Sequence, residues 1–62
     1  MDEKQLKLNI ALMAMIGSEE LVLKWWDSAN YNWSLKTPQE VWDSGKSGQI
    51  EVINYVLGHL QK

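Results

Sequence analysis

The chain has 62 residues, 45% of them hydrophobic, so we expect residues 1–62 to form one domain, which at this size buries only about 60% of its unfolded surface. It contains no cysteine, which excludes disulfides and thiolate metal sites and leaves dense helix packing or oligomerisation as sources of stability. Eight acidic and six basic residues give a net charge of −2, which opposes contact with the phosphates of nucleic acids.

The sequence also lacks the signals of membrane insertion and export. No run of apolar residues is long enough for a membrane span or for the core of a signal peptide, and charged residues stand at positions 2–4. We therefore expect a cytoplasmic protein that binds neither membranes nor nucleic acids.

The first predicted helix covers residues 2–16, which contain neither glycine nor proline and are rich in strong helix formers. Its apolar residues fall into two stripes: Leu6, Ile10 and Met13 in one, and Leu8, Leu12, Met15 and Ile16 in the other. A surface helix of a monomer carries a single stripe, so we expect a second chain to cover part of this helix. We assign the homodimer contact to Leu8, Leu12 and Met15. The amide of Asn9, which interrupts the apolar surface, is interpreted as satisfied structurally by a local or rim contact.

Gly17 ends the first helix and Ser18 caps a second, which is predicted to run to about Ser28. Trp25 and Trp26 lie at the edge and the centre of its apolar arc. Their favoured interpretation is core packing, and ligand or partner binding is the alternative.

Residues 25–45 contain all four tryptophans and the only proline of the chain. Turn formers follow the second helix and place Tyr31 and Trp33 in a loop, where each ring needs cover from the fold or from a partner. A capping box comes next, made of a hydroxyl, a proline at the first helical position and a glutamate three residues after the hydroxyl. This pattern predicts a short third helix that starts at Pro38 and is closed by a glycine. The residues of the motif are Thr37, Pro38, Glu40 and Gly45.

The last predicted helix runs from about Gly48 to Leu60, with Ser47 as its cap. Tyr55 and His59 are four residues apart at the boundary of its apolar arc, within reach of each other. The arc consists of Ile50, Val52, Ile53, Val56, Leu57 and Leu60.

No set of residues has the pattern of a catalytic or metal site. His59 is the only histidine and has no cysteine with which to share a metal ion, and each serine has a capping or turn role. Glutamates at helix starts have structural roles, and the glycine spacing at 45–48 is wrong for a phosphate loop. We therefore expect no enzyme activity, no cofactor and no metal, and the excess of aromatic residues favours binding.

The order of these motifs resembles the toxin-binding domain found at the C-terminus of Xre/MbcA/ParS-type antitoxins. The tryptophan-leucine pair of that family corresponds to Trp25 and Trp26. Its asparagine, its apolar anchor and its K-T-P motif follow at Asn30, Trp33 and 36–38, with the family's spacing between the first tryptophan and the proline.

The resemblance extends over residues 8–60, because Gly45 and the apolar pattern of the last helix match the family's glycine and closing helix. Two features depart from the family. Ser34 and Leu35 stand where two glycines are common, and we expect no helix-turn-helix half before the domain.

The resemblance implies a small all-α domain of four helices that binds a RES-domain toxin, an enzyme that consumes NAD, and blocks the entrance to its active site. Such a protein would be bacterial or phage-borne. The residues assigned to partner binding are Trp25, Trp26, Asn30, Tyr31, Trp33, Trp42 and His59.

A second interpretation belongs to a different class. In this interpretation the chain is a stand-alone structural or adaptor protein, carried by a phage, whose helices support an oligomer and which has no toxin partner. The two hypotheses differ in genomic neighbourhood, because an antitoxin is encoded beside its toxin and an oligomerisation module need not be.

Overall fold

The computed structural model describes residues 1–60, and for Leu60 the backbone alone. Residues 61 and 62, and the side chain of Leu60 that the sequence places on the last apolar arc, lie outside the described part. A short 3-10 helix, Tyr31–Trp33, separates two pairs of α-helices, which confirms the predicted all-α architecture with four α-helices. These are α1 (Glu3–Ile16), α2 (Glu19–Trp26), α3 (Pro38–Asp43) and α4 (Lys46–Leu60).

Side-chain caps set the starts of the first three α-helices. Asp2 accepts from the backbone N–H of Gln5 at 2.8 Å, and the Gln5 side chain accepts from the Asp2 N–H at 3.2 Å. At α3 the Thr37 hydroxyl accepts from the Glu40 N–H at 3.1 Å and the Glu40 carboxylate accepts from the Thr37 N–H at 3.0 Å, so the predicted capping box is confirmed. Ser18 caps α2, as predicted.

Two predicted boundaries are wrong. The helix α4 begins at Lys46 rather than Gly48, because Gly45 has a φ of +131° and its carbonyl accepts the first helical bond, from Gln49 at 3.0 Å. Ser47 therefore lies inside the first turn and is not the cap. The helix α2 ends at Trp26 rather than Ser28. The N–H groups of Asp27 and Ser28 donate to carbonyls three residues back instead of four, which is the tighter 3-10 pattern common at helix ends.

The core contains two perpendicular indoles, Trp26 and Trp42, whose ring centroids lie 5.6 Å apart. The Trp26 indole N–H donates to Asn9 at 2.7 Å, and the Trp42 indole N–H donates to Asp2 at 2.9 Å. The first bond joins α2 to α1, and the second joins α3 to the cap of α1. The amide of Asn9 is thus satisfied structurally, as predicted, but by a long-range partner on α2 rather than by a local contact. The other buried hydrophobic residues are Leu8, Leu12, Val22, Val41, Val52 and Val56.

The assignment of the dimer contact to the second stripe of α1 requires correction. Leu8 and Leu12 have only 7% and 1% of their surface exposed, so they belong to the core of a single chain. Met15 is 39% exposed and lies at the edge of that stripe. The bonds from Trp26 and Trp42 turn this side of α1 inward, and the other stripe, on the far side of the helix, is left without cover.

A polar contact inside the fold was not expected from the sequence. Gln5 is 3% exposed, and its amide donates to the Gln39 side chain at 2.9 Å, which joins α1 to α3. Gln39 in turn donates to Asp43 one turn later, at 3.1 Å. Because each amide has a partner, this buried polar group does not carry the penalty of an unmade hydrogen bond.

Gly48 of α4 lies in close contact with the end of α3. A Cβ atom there would overlap the carbonyl oxygen of Val41 and the hydroxyl of Ser44. We expect Gly48→Ala to lower the free energy of unfolding by about 1–3 kcal/mol, the usual effect of overpacking.

Gly58→Ala in the same helix is the matched control, since a Cβ at Gly58 meets nothing within 4 Å. This change is expected to raise the free energy of unfolding by about 0.5–1 kcal/mol, because alanine restricts the unfolded chain. Urea denaturation of both variants measures the difference. Equal effects would contradict the close approach of the two helices.

Candidate functional site

Residues 30–36, here called the 30–36 loop, form a closed turn between α2 and α3. The N–H of Asn30 donates to the carbonyl of Lys36 at 3.0 Å, and the N–H of Leu35 donates to the carbonyl of Asn30, also at 3.0 Å. The side chain of Asn30 accepts from the N–H of Asn32 at 2.9 Å and caps the 3-10 helix. Asn30, assigned to partner binding from the sequence, therefore has a structural role that closes the loop.

Aromatic packing holds the 30–36 loop against α4. The half-buried ring of Trp33 lies 5.0 Å from the ring of Tyr55. On another side Tyr55 stacks with Trp25, at a centroid distance of 6.3 Å and an interplanar angle of 23°. Since Trp25 and its neighbour Trp26 also pack edge to face at 5.1 Å, one series of aromatic contacts leads from the core to the loop.

His59 extends this series at the surface. Its ring lies 4.2 Å from that of Tyr55, as the four-residue spacing predicts. Its Nδ1 lies 2.8 Å from the carbonyl oxygen of Tyr55, which accepts a hydrogen bond in the tautomer that has its proton on this nitrogen. The structure thus brings His59, Trp25 and Trp33 together around Tyr55, a residue that was not assigned to the site.

Two of the residues assigned to partner binding cannot reach a partner in this fold. Trp26 and Trp42 are 1% and 2% exposed, and both indole N–H groups are already bonded. Both form the core, which confirms the favoured interpretation of Trp26 and corrects the assignment of both residues to the binding surface. The physical reason is size, because a chain this short needs its largest apolar side chains inside.

Two large hydrophobic residues of the 30–36 loop are exposed to solvent. Tyr31 is 90% exposed, the largest value among the exposed hydrophobic residues, and Leu35 is 56% exposed. Tyr31 was assigned to the binding site from the sequence, whereas Leu35 was missed. The loop also borders an open cleft of about 300 Å³, whose lining includes Trp33, Lys36 and Glu51 but neither Tyr31 nor Leu35.

The backbone of the loop is unusual at Ser34 and Leu35. Their φ angles are +54° and +69°, and they are the non-glycine residues with positive φ in the described part of the chain. This left-handed conformation is less favourable for an L-residue by roughly 1–2 kcal/mol, and it persists only where the surroundings fix it. The closing hydrogen bonds and the packing of Trp33 on Tyr55 provide that restraint.

Two carboxyl groups at helix caps have altered acidity. The backbone N–H of Gln5 and, next in size, the indole of Trp42 lower the pKa of Asp2. The backbone and then the side chain of Thr37 lower the pKa of Glu40, which stands beside the cleft. Hydrogen bonds to the charged form account for both shifts.

Within residues 1–60, no three His, Asp or Glu side chains are grouped so that they could hold a metal ion. In the same part of the chain, no helix has both the length and the apolar character needed to cross a membrane. Searches of protein-family models, curated proteins and solved structures return no match to this chain. The resemblance to the antitoxin domain therefore depends on the order of its residues.

The strain at Ser34 and Leu35 is testable by glycine substitution. Ser34→Gly and Leu35→Gly are each expected to raise the free energy of unfolding by about 0.5–1 kcal/mol, because glycine adopts positive φ without a Cβ clash. For a domain of this size that corresponds to an increase in Tm of roughly 2–8 °C. Leu21→Gly, at an exposed leucine in α2, is the control and should lower stability by about 1 kcal/mol. A decrease for all three variants would contradict the left-handed conformation.

Acid titration tests the two caps. The folded pKa values of Asp2 and Glu40 lie below those of the unfolded chain, so their stabilisation is complete above the unfolded values and is lost as the pH falls through the folded ones. The denaturant concentration at the unfolding midpoint should therefore decrease once the pH is below about 4. The double variant Asp2→Asn, Glu40→Gln keeps both caps without the charges and should show a smaller acid dependence. Identical pH profiles for the two proteins would count against the charged caps.

Proposed function

We propose that this chain is a small protein-binding module of the antitoxin type, and that its partner is a RES-domain toxin. The observation that carries the proposal is Leu35, an exposed leucine held at positive φ. Both features are unfavourable for the isolated domain. Strain of this kind clusters where a protein binds or acts, because the strained residue serves the site rather than the fold.

Tyr31 supports the same conclusion. Tyrosine combines a large apolar ring with a hydroxyl, loses little side-chain entropy on binding and is enriched at protein interfaces. Here it stands 90% exposed on a loop that is closed by backbone hydrogen bonds. A preorganised loop of this kind binds without the entropic penalty of ordering a flexible one.

The backbone of the loop also supports the resemblance. In the antitoxin family two glycines are common at the positions of Ser34 and Leu35, and these are the positions where this chain has positive φ. Glycine adopts that conformation readily, so a loop of this shape would account for the family's glycines. This agreement is independent of the residue identities on which the resemblance was based.

The proposed mechanism is steric. A RES-domain toxin consumes NAD, and an antitoxin placed over the entrance to its active site keeps this substrate out. In this proposal Tyr31 and Leu35 contact the toxin, and the ring of Trp33 holds the loop in place from behind. The chain needs no catalytic group of its own for this role.

A structural or adaptor protein is the second candidate. The observation that favours it is the exposed stripe of Leu6, Ile10 and Met13 on α1, which is suited to contact with another chain. Such a protein would have no toxin encoded beside it. Its 30–36 loop would also tolerate loss of the exposed side chains without loss of function.

The binding test compares the wild type with two loop variants. The tagged wild-type chain captures proteins from the native host, and calorimetry then measures the affinity of each variant for a captured RES-domain toxin. Leu35→Gly should weaken binding about tenfold, because roughly half a leucine side chain no longer becomes buried. Ser34→Gly is the matched control, since it changes the same backbone but removes no apolar group.

The proposal predicts that Leu35→Gly is more stable than the wild type but binds the toxin less tightly. Co-expression should show the same order, with wild type and Ser34→Gly protecting cellular NAD better than Leu35→Gly. Capture of no toxin, or equal affinities for both variants, would contradict the proposal.

A further inference from the structure

A continuous apolar surface lies on the outer side of α1 and α2, here called the α1–α2 face. Its most exposed member is Ile10, at 73%. A groove of about 360 Å³ runs between the two helices beside it. The face comprises Met1, Leu6, Ile10, Met13 and Leu23, which are 40–73% exposed.

We propose that a second copy of this chain covers the α1–α2 face, with the two α1 helices antiparallel about a two-fold axis near Ile10. This homodimer contact replaces the one assigned to Leu8 and Leu12, which are buried in the core. It is separate from the 30–36 loop, because no residue of the loop lines the groove.

The shape of the face fits another copy of itself. Leu6, Ile10 and Met13 are spaced by four and then three residues, which is the spacing of the seam between paired helices. These three side chains form a ridge along α1. The ridge makes one wall of the groove, and Leu23 of α2 lies on the other. Across a two-fold axis the ridge of each copy meets the groove of the other, so one surface supplies both halves of the contact.

The charges near the face also permit self-association of an acidic protein. No charged residue occurs between Lys7 and Glu19. Glu3 pairs with Lys7, and Glu20 pairs with Lys24, each at 3.7 Å within its own helix. The central part of the face, on α1, is therefore uncharged, and among the described residues Glu19 is the one charged residue that lines the groove.

An antiparallel arrangement has one further electrostatic advantage. The last turn of α1 contains no basic residue to balance the negative end of the helix dipole. With Ile10 opposite Ile10, Lys7 of each copy lies opposite Met13 of the other, in the last turn. The lysine of each chain would then supply the positive charge that the partner's helix end lacks.

The size of the face predicts a dimer of moderate affinity. Five residues that are about half exposed present on the order of 500 Å² per chain, or about 1,000 Å² in a dimer, the lower limit for a specific interface. We expect a dissociation constant of roughly 1–100 μM. Sedimentation equilibrium between about 1 and 500 μM should therefore show a monomer that converts to a dimer.

Two aspartate variants locate the contact. Ile10→Asp places a charge at the centre of the face and should give a monomer throughout this range, with the helical circular dichroism of the wild type. Ile50→Asp is the matched control, because Ile50 is 50% exposed on α4 and does not line the groove. It should dimerise as the wild type does. A monomeric wild type, a dimeric Ile10→Asp or loss of the dimer in both variants would overturn the proposal.

Cysteine variants provide a second test, which does not require the fold to accept a charged side chain at position 10. The natural chain has no cysteine, so Ile10→Cys and Ile50→Cys each carry a single thiol. Near the two-fold axis the thiols of Ile10→Cys should form an intermolecular disulfide on mild oxidation, whereas those of Ile50→Cys should not. Failure of Ile10→Cys to cross-link, or equal cross-linking of both, would exclude the antiparallel arrangement. Neither test involves the toxin, so each can fail while the proposed function stands.

Discussion

The perpendicular contact between Trp26 and Trp42 is the constraint on which the rest of the fold depends. Burying two indoles requires a partner for each ring N–H, and both partners, Asn9 and Asp2, belong to the α1 region. These two bonds fix the rotation of α1 about its own axis. That rotation decides which of its two apolar stripes enters the core and which remains outside, as Ile10 does.

Local signals in the sequence were sufficient for the architecture. Thr37 and Glu40 identify a capping box from spacing alone, and Gly17 marks a helix end because a positive φ suits glycine. The choice between the two stripes of α1 was different, since both are apolar and both have helical spacing. It depends on long-range bonds such as the one between Trp26 and Asn9, which periodicity does not contain.

The candidate site was predictable only in part, for a related reason. The excess of aromatic residues predicts a role for Tyr31 and Trp33, and both lie in the 30–36 loop. The same criterion included Trp26, because a residue type does not distinguish a core ring from a surface ring. Leu35 was missed because its importance comes from backbone conformation and exposure together, and a leucine carries no local signal for positive φ.

The two proposed contacts use different parts of the molecule, and this separation has a consequence for stability. A domain of this size is only marginally stable, so a dimer through Ile10 would stabilise the folded chain by mass action, because only the folded state presents the face. The strained backbone at Ser34 and Leu35 has the opposite effect, because it lowers the stability of the folded chain. Association on one side of the domain can thus compensate for strain on another, and each dimer would present two preorganised copies of the 30–36 loop to its partners.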